Sequence, residues 1–216
     1  MSAAVLQPLL DSPALPRHVE ALQAALEAER EVRERFRDRL DPSVKAEFIN
    51  GEIVMHSPAR NVHNQVVGRL SSLLRAYNDA NALGGVVAAE KALVGLTRND
   101  YEPDVAFWGA DKAAEIGPDT KIYPAPDLAV EVLSASTAGR DRGVKREDYQ
   151  AHGVAEYWIV DADAEAVVAH RLEGARYREE AVGATLESAA VPGFAVPTHA
   201  LFDDGAHLAA LRAVLA

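Results

Sequence analysis

One short run constrains this chain more than any other: DLAVEVL, residues 127–133. Its apolar residues enclose Glu131, and Pro126 and Ser134-Ala135-Ser136 bound it. An apolar run of that length between turn residues reads as a buried strand. An isolated carboxylate is costly to bury, so a glutamate at this place needs a reason. Strand alternation supplies part of it. Leu128, Val130 and Val132 face one way, while Asp127, Ala129, Glu131 and Leu133 face the other. Downstream, 140–152 reads as a helix closed by Gly153, and EYWIVD at 156–161 as a second buried strand. Strand, helix, strand in that order implies a right-handed crossover between parallel strands.

The rest of the chain is arranged around that unit. Residues 86–96 read as a strand or two and 103–108 (PDVAFW) as a short buried one, close enough in sequence to pair antiparallel. Ahead of them, Val62, Val66, Val67, Leu70, Leu73, Leu74 and Tyr77 recur at helical spacing after a possible cap at Asn61, predicting a core helix over 61–79. AEFINGEIVMH, 46–56, centres on Asn50-Gly51 and predicts a hairpin. Residues 15–40 form an amphipathic helix with apolar Val19, Leu22, Leu26, Phe36 and Leu40 and mixed charge elsewhere, ended by Asp41-Pro42. Residues 1–14 are small and Pro-containing, and are expected to be poorly ordered. Beyond 161, the runs 166–172, 176–182 and 185–190 suggest an antiparallel tail. PGFAVP makes a loop, and 206–216 a closing helix. The expected class is a mixed-sheet α/β or α+β domain over 43–216, preceded by a tail and helix over 1–42.

Composition narrows the function. Of 216 residues, 49% are hydrophobic and 25% charged, an ordinary globular balance. Lys and Arg number 22 against 33 Asp and Glu, for a net charge of −11. A generic nucleic-acid binder is not built this way, so any such binding must use a local basic face or a metal. With no cysteine, a disulfide framework, a thiolate zinc site and a cysteine nucleophile are excluded, and a reducing cytoplasm is the expected location. No stretch approaches the roughly 20 apolar residues that span a bilayer. The first residues lack a basic segment, and Pro8, Asp11 and Pro13 interrupt them, so no signal peptide is expected. No phosphate loop, G-x-G-x-x-G, G-x-S-x-G or H-E-x-x-H occurs.

The carboxylates carry the chemistry. If strand 103–108 lies beside 127–133, Asp104 reaches the face shared by Glu131 and Asp127, and converging oxygen donors make a site for magnesium or manganese. A Glu131 on an edge strand, or one paired with Arg or Lys, needs no metal. Asp141, Lys145 and Tyr149 fall at i, i+4 and i+8, one helix stripe that can point at the carboxylates. Lys145 there would counter charge on a phosphate, or form an ordinary helix pair with Asp141. Arg140, Arg142 and Arg146 form a compact basic cluster for phosphate-backbone contact, or a solvated face. His63 can hydrogen-bond near the site or serve the core, and Glu52 beside the hairpin turn is a further possible carboxylate or an exposed turn residue. Trp108 and Trp158 read as core.

INGEIV, SPARNVHNQVVGRL, YEPDVAFW, PAPDLAVEVLSAST, DRGVKREDYQAHGVAEYWIVD and PGFAVP occur in that order. Together they resemble the Uma-two family of restriction-endonuclease-like proteins, within the PD-(D/E)xK nuclease-like superfamily, over about residues 45–202. The resemblance implies an αβββαβ core and magnesium-dependent phosphodiester cleavage of DNA. It matches Asp104 to the superfamily's PD aspartate and Glu131 to the acidic member of its (D/E)xK pair. Leu133 stands where that pair has its lysine, and Lys145 of DRGVK offers a migrated substitute. The expectation is therefore a metal-dependent endonuclease with Mg2+ or Mn2+, cytoplasmic, and homodimeric through the stripe on helix 15–40. The charge of −11 and the missing strand lysine motivate an alternative, a nuclease-fold binding or regulatory module without catalysis. A third reading is a hydrolase of small phosphoesters on the same scaffold.

Overall fold

The computed structural model describes residues 3–41 and 43–216. The chain opens with α1 (Ala3–Leu10) and α2 (Leu15–Asp38). From Ala3 onward this corrects the expectation of a poorly ordered start; residues 1 and 2 lie outside the described residues. Ala, Leu and Gln are good helix formers, and their propensity outweighs the one backbone bond that Pro8 removes from a short helix. Pro16 stands in the first turn of α2, where its missing N–H costs nothing. Pro42, expected with Asp41 to end this helix, lies outside the described residues.

β1 (Ala46–Ile49) and β2 (Glu52–Met55) form the expected hairpin. Asn50 and Gly51 take φ of 50° and 89°, the left-handed pair a two-residue turn requires. α3 (Asn61–Ala80) follows, then β3 (Val86–Ala89), β4 (Leu93–Gly95), β5 (Asp100–Tyr101) and β6 (Val105–Trp108). The stretch expected as a loop holds a single-turn α4 (Ala110–Ala113) and β7 (Ile122–Tyr123). β8 (Leu128–Val132) leads into α5 (Ala138–Arg140), which passes through a π-turn (Asp141–Lys145) into α6 (Arg146–Ala151). β9 (Glu156–Asp161), β10 (Ala166–Glu173), β11 (Arg176–Ala181), β12 (Thr185–Glu187), β13 (Ala195–Pro197) and α7 (Asp204–Val214) complete the chain.

The larger sheet has the order β11-β10-β9-β8-β6-β3. β8 and β9 run parallel across the helical crossover, and the other neighbours are antiparallel. Read along the chain, α3, β3, β6, β8, the crossover helix and β9 make the αβββαβ core. One face of this sheet packs Val105, Phe107, Leu128, Val130 and Val132 against Leu70, Leu73 and Leu74 of α3. The other face presents Ala106, Trp108, Ala129 and Ile159 to Tyr149 of α6 and to Val94 and Tyr101 of a second sheet, ordered β2-β1-β5-β4-β7. The alternation of β8 therefore puts its aliphatics under α3 and turns Glu131 toward the second layer, where the crossover helix lies.

Candidate active site

β6 and β8 fix the first two groups. Their register pairs Val105 with Val130, so one residue further along the ladder Asp104 stands opposite Glu131. Both are buried, each 3% exposed. Asp104 is anchored from β8 itself, since its Oδ2 accepts the Val132 N–H at 2.7 Å. Its Oδ1 pairs with the Lys45 amine at 2.5 Å and lies 3.4 Å from His63 Nε2. Burial alone would raise Asp104, but the bond to His63 and the charge of Lys45 hold it well below the usual aspartate range.

The crossover helix supplies the third. A π-turn inserts an extra residue per turn and is frequent at functional positions. Here it brings Asp141 and Lys145 onto the carboxylate face, both 1% exposed. The Lys145 amine lies 2.9 Å from Glu47 Oε1, 3.0 Å from Glu131 Oε1 and 3.3 Å from Asp141 Oδ1, above the ring of Tyr101. Burial would lower Lys145, but the charges of Glu131, Glu47 and Asp141 raise it well above the ordinary lysine value. Burial raises Glu131 above the ordinary glutamate value, with Asp141, Asp104 and Glu47 adding to the shift and Lys145 opposing it. Burial likewise raises Asp141. Burial pushes Glu47 up too, yet Lys145 and His56 outweigh it and bring it down to about 2. Glu47 Oε1 also accepts the Glu102 N–H at 2.9 Å, and Oε2 faces His56 Nε2 at 3.0 Å.

Asp104 and Glu131 open onto a groove of about 980 Å³ whose walls include Lys45, His63, Glu90, the 134–137 hydroxyl loop and Arg142. Lys145 does not line it. Glu90 and Lys91 both adopt left-handed backbone, with φ of 54° and 44°, a strained pair for residues with side chains. The turn is held by the Glu90 N–H, which donates to the Asp104 carbonyl at 3.0 Å. It places Glu90 Oε1 3.9 Å from His63 Nε2. One donor atom each from His63, Glu90 and Asp104 lies within 4.8 Å of the others.

The structure thus brings Asp104, Glu131, Asp141 and Lys145 together, with His63 beside them. It separates Asp127, which sits at the opposite end of β8. There its carboxylate accepts the Gly109 N–H at 2.8 Å and pairs with Lys112 at 2.8 Å, so ladder spacing along one strand carries it away from Glu131. Glu52 is exposed on β2 and takes no part in these contacts. Arg142 is exposed on the groove, while Arg140 and Arg146 are half-buried, each with a buried Nε lacking a partner. Trp108 and Trp158 are core. Sequence reasoning missed Lys45, Glu47, His56 and Glu90. Glu47 carried a legible signal, a charged residue inside the strand AEFI, as Glu131 did in its own.

A six-stranded mixed sheet with a parallel β8–β9 crossover, and paired acidic residues at the ends of β6 and β8, defines a restriction-endonuclease-like α/β protein. The chain belongs to the Uma2 family, described as "Putative restriction endonuclease", whose profile matches residues 33–199. It is similar to a solved structure described as "a putative nuclease belonging to DUF820" from Anabaena variabilis. That likeness has 16% identity and a TM-score of 0.63, and covers 73% of this chain and 89% of the other. At that identity it shows the fold. No curated protein matches the chain.

Proposed function

We propose that the protein is a divalent-metal-dependent endonuclease that hydrolyses phosphodiester bonds of DNA. The observation that carries the reading is the pairing of Asp104 and Glu131, remote in sequence, at one ladder end facing one groove. The residues there fit a cation. His63, Glu90 and Asp104 offer one imidazole nitrogen and two carboxylate oxygens within 4.8 Å of one another, and Glu131 adds a carboxyl beside them. His63 Nδ1 is buried with no hydrogen-bond partner, so the ring is not committed to the core on that side. Carboxylates suit Mg2+ and Mn2+, and the imidazole favours Mn2+. Asp104 and Glu131 would hold the ion, with His63 and Glu90 completing the set. A bound ion lowers the pKa of a water and neutralises charge on the phosphate.

The chain's own residues position the reaction. Lys145 fixes Glu131 Oε1, and the Val132 N–H fixes Asp104. Arg142, with Arg140 and Arg146 on the same helical segment, supplies the basic face for the backbone that a chain of charge −11 otherwise lacks. In the net reaction, water's oxygen joins phosphorus, one P–O ester bond breaks, and a hydroxyl and a phosphomonoester remain. A homodimer and a cytoplasmic location belong to the same reading. Double-strand cutting needs two sites, and a chain without cysteine suits a reducing compartment.

Cleavage of plasmid and single-stranded DNA with magnesium or manganese tests the proposal, comparing wild type with Glu131→Ala. The variant should lose at least ~100-fold in rate. Equal rates in the two proteins would remove the endonuclease reading.

A further inference from the structure

Two lysines stand at the site, and they differ in what their amines have left to give. An ammonium carries three N–H donors. Lys145 is 1% exposed, ion-paired with three carboxylates, and absent from the groove wall. A phosphate in the groove would have to displace one of those carboxylates and break into a sealed layer to reach it. Lys45 is placed otherwise. It precedes β1, its backbone is pinned by the His56 N–H donating to the Lys45 carbonyl at 3.0 Å, and its side chain lines the groove at 16% exposure. Among the described residues, Asp104 is the one carboxylate within ion-pair reach of its amine. Lys91 also lines the groove, but its amine leans toward Glu102 at 3.8 Å.

We infer that Lys45, not Lys145, is the lysine that meets the substrate phosphate, and that Lys145 is a positioning residue for Glu131. This rests on the endonuclease reading above for its reaction, though not for its contact. The amine donates to a non-bridging phosphate oxygen and stabilises the charge that builds there as water attacks; no proton changes hands. Asp104 keeps the Val132 N–H and the approach of His63 when the amine turns from it.

The chain has no cysteine, so Lys45→Cys introduces a single thiol. Its sulfur displaces bromide from 2-bromoethylamine and rebuilds a lysine-length ammonium. The probe is fluorescein-labelled decathymidylate, titrated in EDTA at several salt concentrations, so that binding is read without cleavage. Lys45→Cys should bind more weakly, with a salt slope shallower by about 0.7, the value of one phosphate contact on a single strand. Aminoethylation should restore both. With manganese, cleavage should fall about 100-fold in Lys45→Cys and recover at least tenfold on aminoethylation. Lys45→Gln carries the same comparison should the cysteine variant fold poorly. Lys145→Met should leave the salt slope of the folded protein unchanged. A wild-type slope in both Lys45 variants, or no recovery after complete modification by mass spectrometry, overturns the assignment. Wild type that binds the oligonucleotide but cleaves nothing removes the endonuclease reading alone, and wild type that does not bind removes both.

Discussion

Around the Lys145 amine, three buried carboxylates converge within 3.3 Å, and of the three only Glu131 lines the groove. One ammonium cannot neutralise three anions; burial raises Glu131 and Asp141, and the neighbouring carboxylates add to it against the pull of Lys145. Removing the cation and removing one anion should therefore act in opposite directions. Lys145→Met should destabilise the fold by about 3–5 kcal/mol, as expected for stranding buried charges. Glu131→Gln should leave stability unchanged or raise it by ~1 kcal/mol while cleavage is lost, the usual signature of a strained functional site. Urea denaturation of the two variants reads both effects, and a large destabilisation by Glu131→Gln would contradict this account of the cluster. His170 supplies the pH dependence. Its Nδ1 faces the Tyr157 carbonyl at 3.2 Å and its Nε2 faces Glu179 at 3.3 Å. Burial lowers it below 6.5, with Arg146 adding to the shift, against the pull of Tyr157 and Glu179. On acidification the unfolded chain takes up that proton before the folded one does, so this contribution is full at neutral pH and falls as pH drops through 6.5. The stability gap between wild type and His170→Gln should narrow between about pH 7.5 and about pH 5.5, the range over which an ordinary histidine charges. A gap that stays constant would contradict it.

At the scale of elements, α2 is tied to the body by charge more than by oil. Asp100, at the start of β5, is fully buried and accepts four hydrogen bonds of 2.5–2.9 Å from Arg33 and Arg37. Arg33 also donates to the Leu96, Thr97 and Asn99 carbonyls, and Phe36 sits against Phe48. Asp100→Ala should cost about 3 kcal/mol by leaving two guanidinium groups without their counter-charge. It should also open α2 to limited proteolysis, and a protected α2 in that variant would show that apolar contacts suffice. The elements themselves were largely legible. Helix 61–79, the Asn50-Gly51 hairpin and strand 156–161 appear with bounds within a residue of expectation, because each is specified by periodicity or turn chemistry in its own segment. Residues 86–96, read as a strand or two, are two, but the place of the turn between them was not legible. Glu90 and Lys91 turn the chain in left-handed backbone without a glycine to announce it, and a hydrogen bond from the Glu90 N–H to the Asp104 carbonyl, a remote group, holds them there. The π-turn is equally silent, since Asp141–Lys145 reads as part of one continuous helix over 140–152.

The whole molecule carries a net charge of −11, and exposed apolar side chains gather on its first two helices. Leu6, Leu10, Leu22 and Leu26 are 41%, 57%, 56% and 55% exposed on the two N-terminal helices. Single exposed leucines are ordinary, but Leu22 and Leu26 stand one turn apart on α2, a pair fit for an interaction face. The homodimer proposed above should use it. Light scattering at micromolar concentration should give twice the 23.2 kDa chain mass, and Leu22→Glu with Leu26→Glu should return it to one. A wild-type protein of single-chain mass would end that proposal. No described helix is long and apolar enough to cross a membrane.

Local order was written in the chain. Alternation in DLAVEVL, spacing along 61–79 and the turn at Asn50-Gly51 are properties of consecutive residues, and neighbours in sequence suffice to enforce them. The same alternation put Glu131 on the face away from α3. Which carboxylates would keep it company was decided elsewhere. Antiparallel register carried Asp104 to its side and left Asp127 with Lys112, while the second sheet delivered Glu47 and Lys45. Those groups meet only when strands from distant segments pair, and the burial that makes their charges matter exists only once both layers have closed over them.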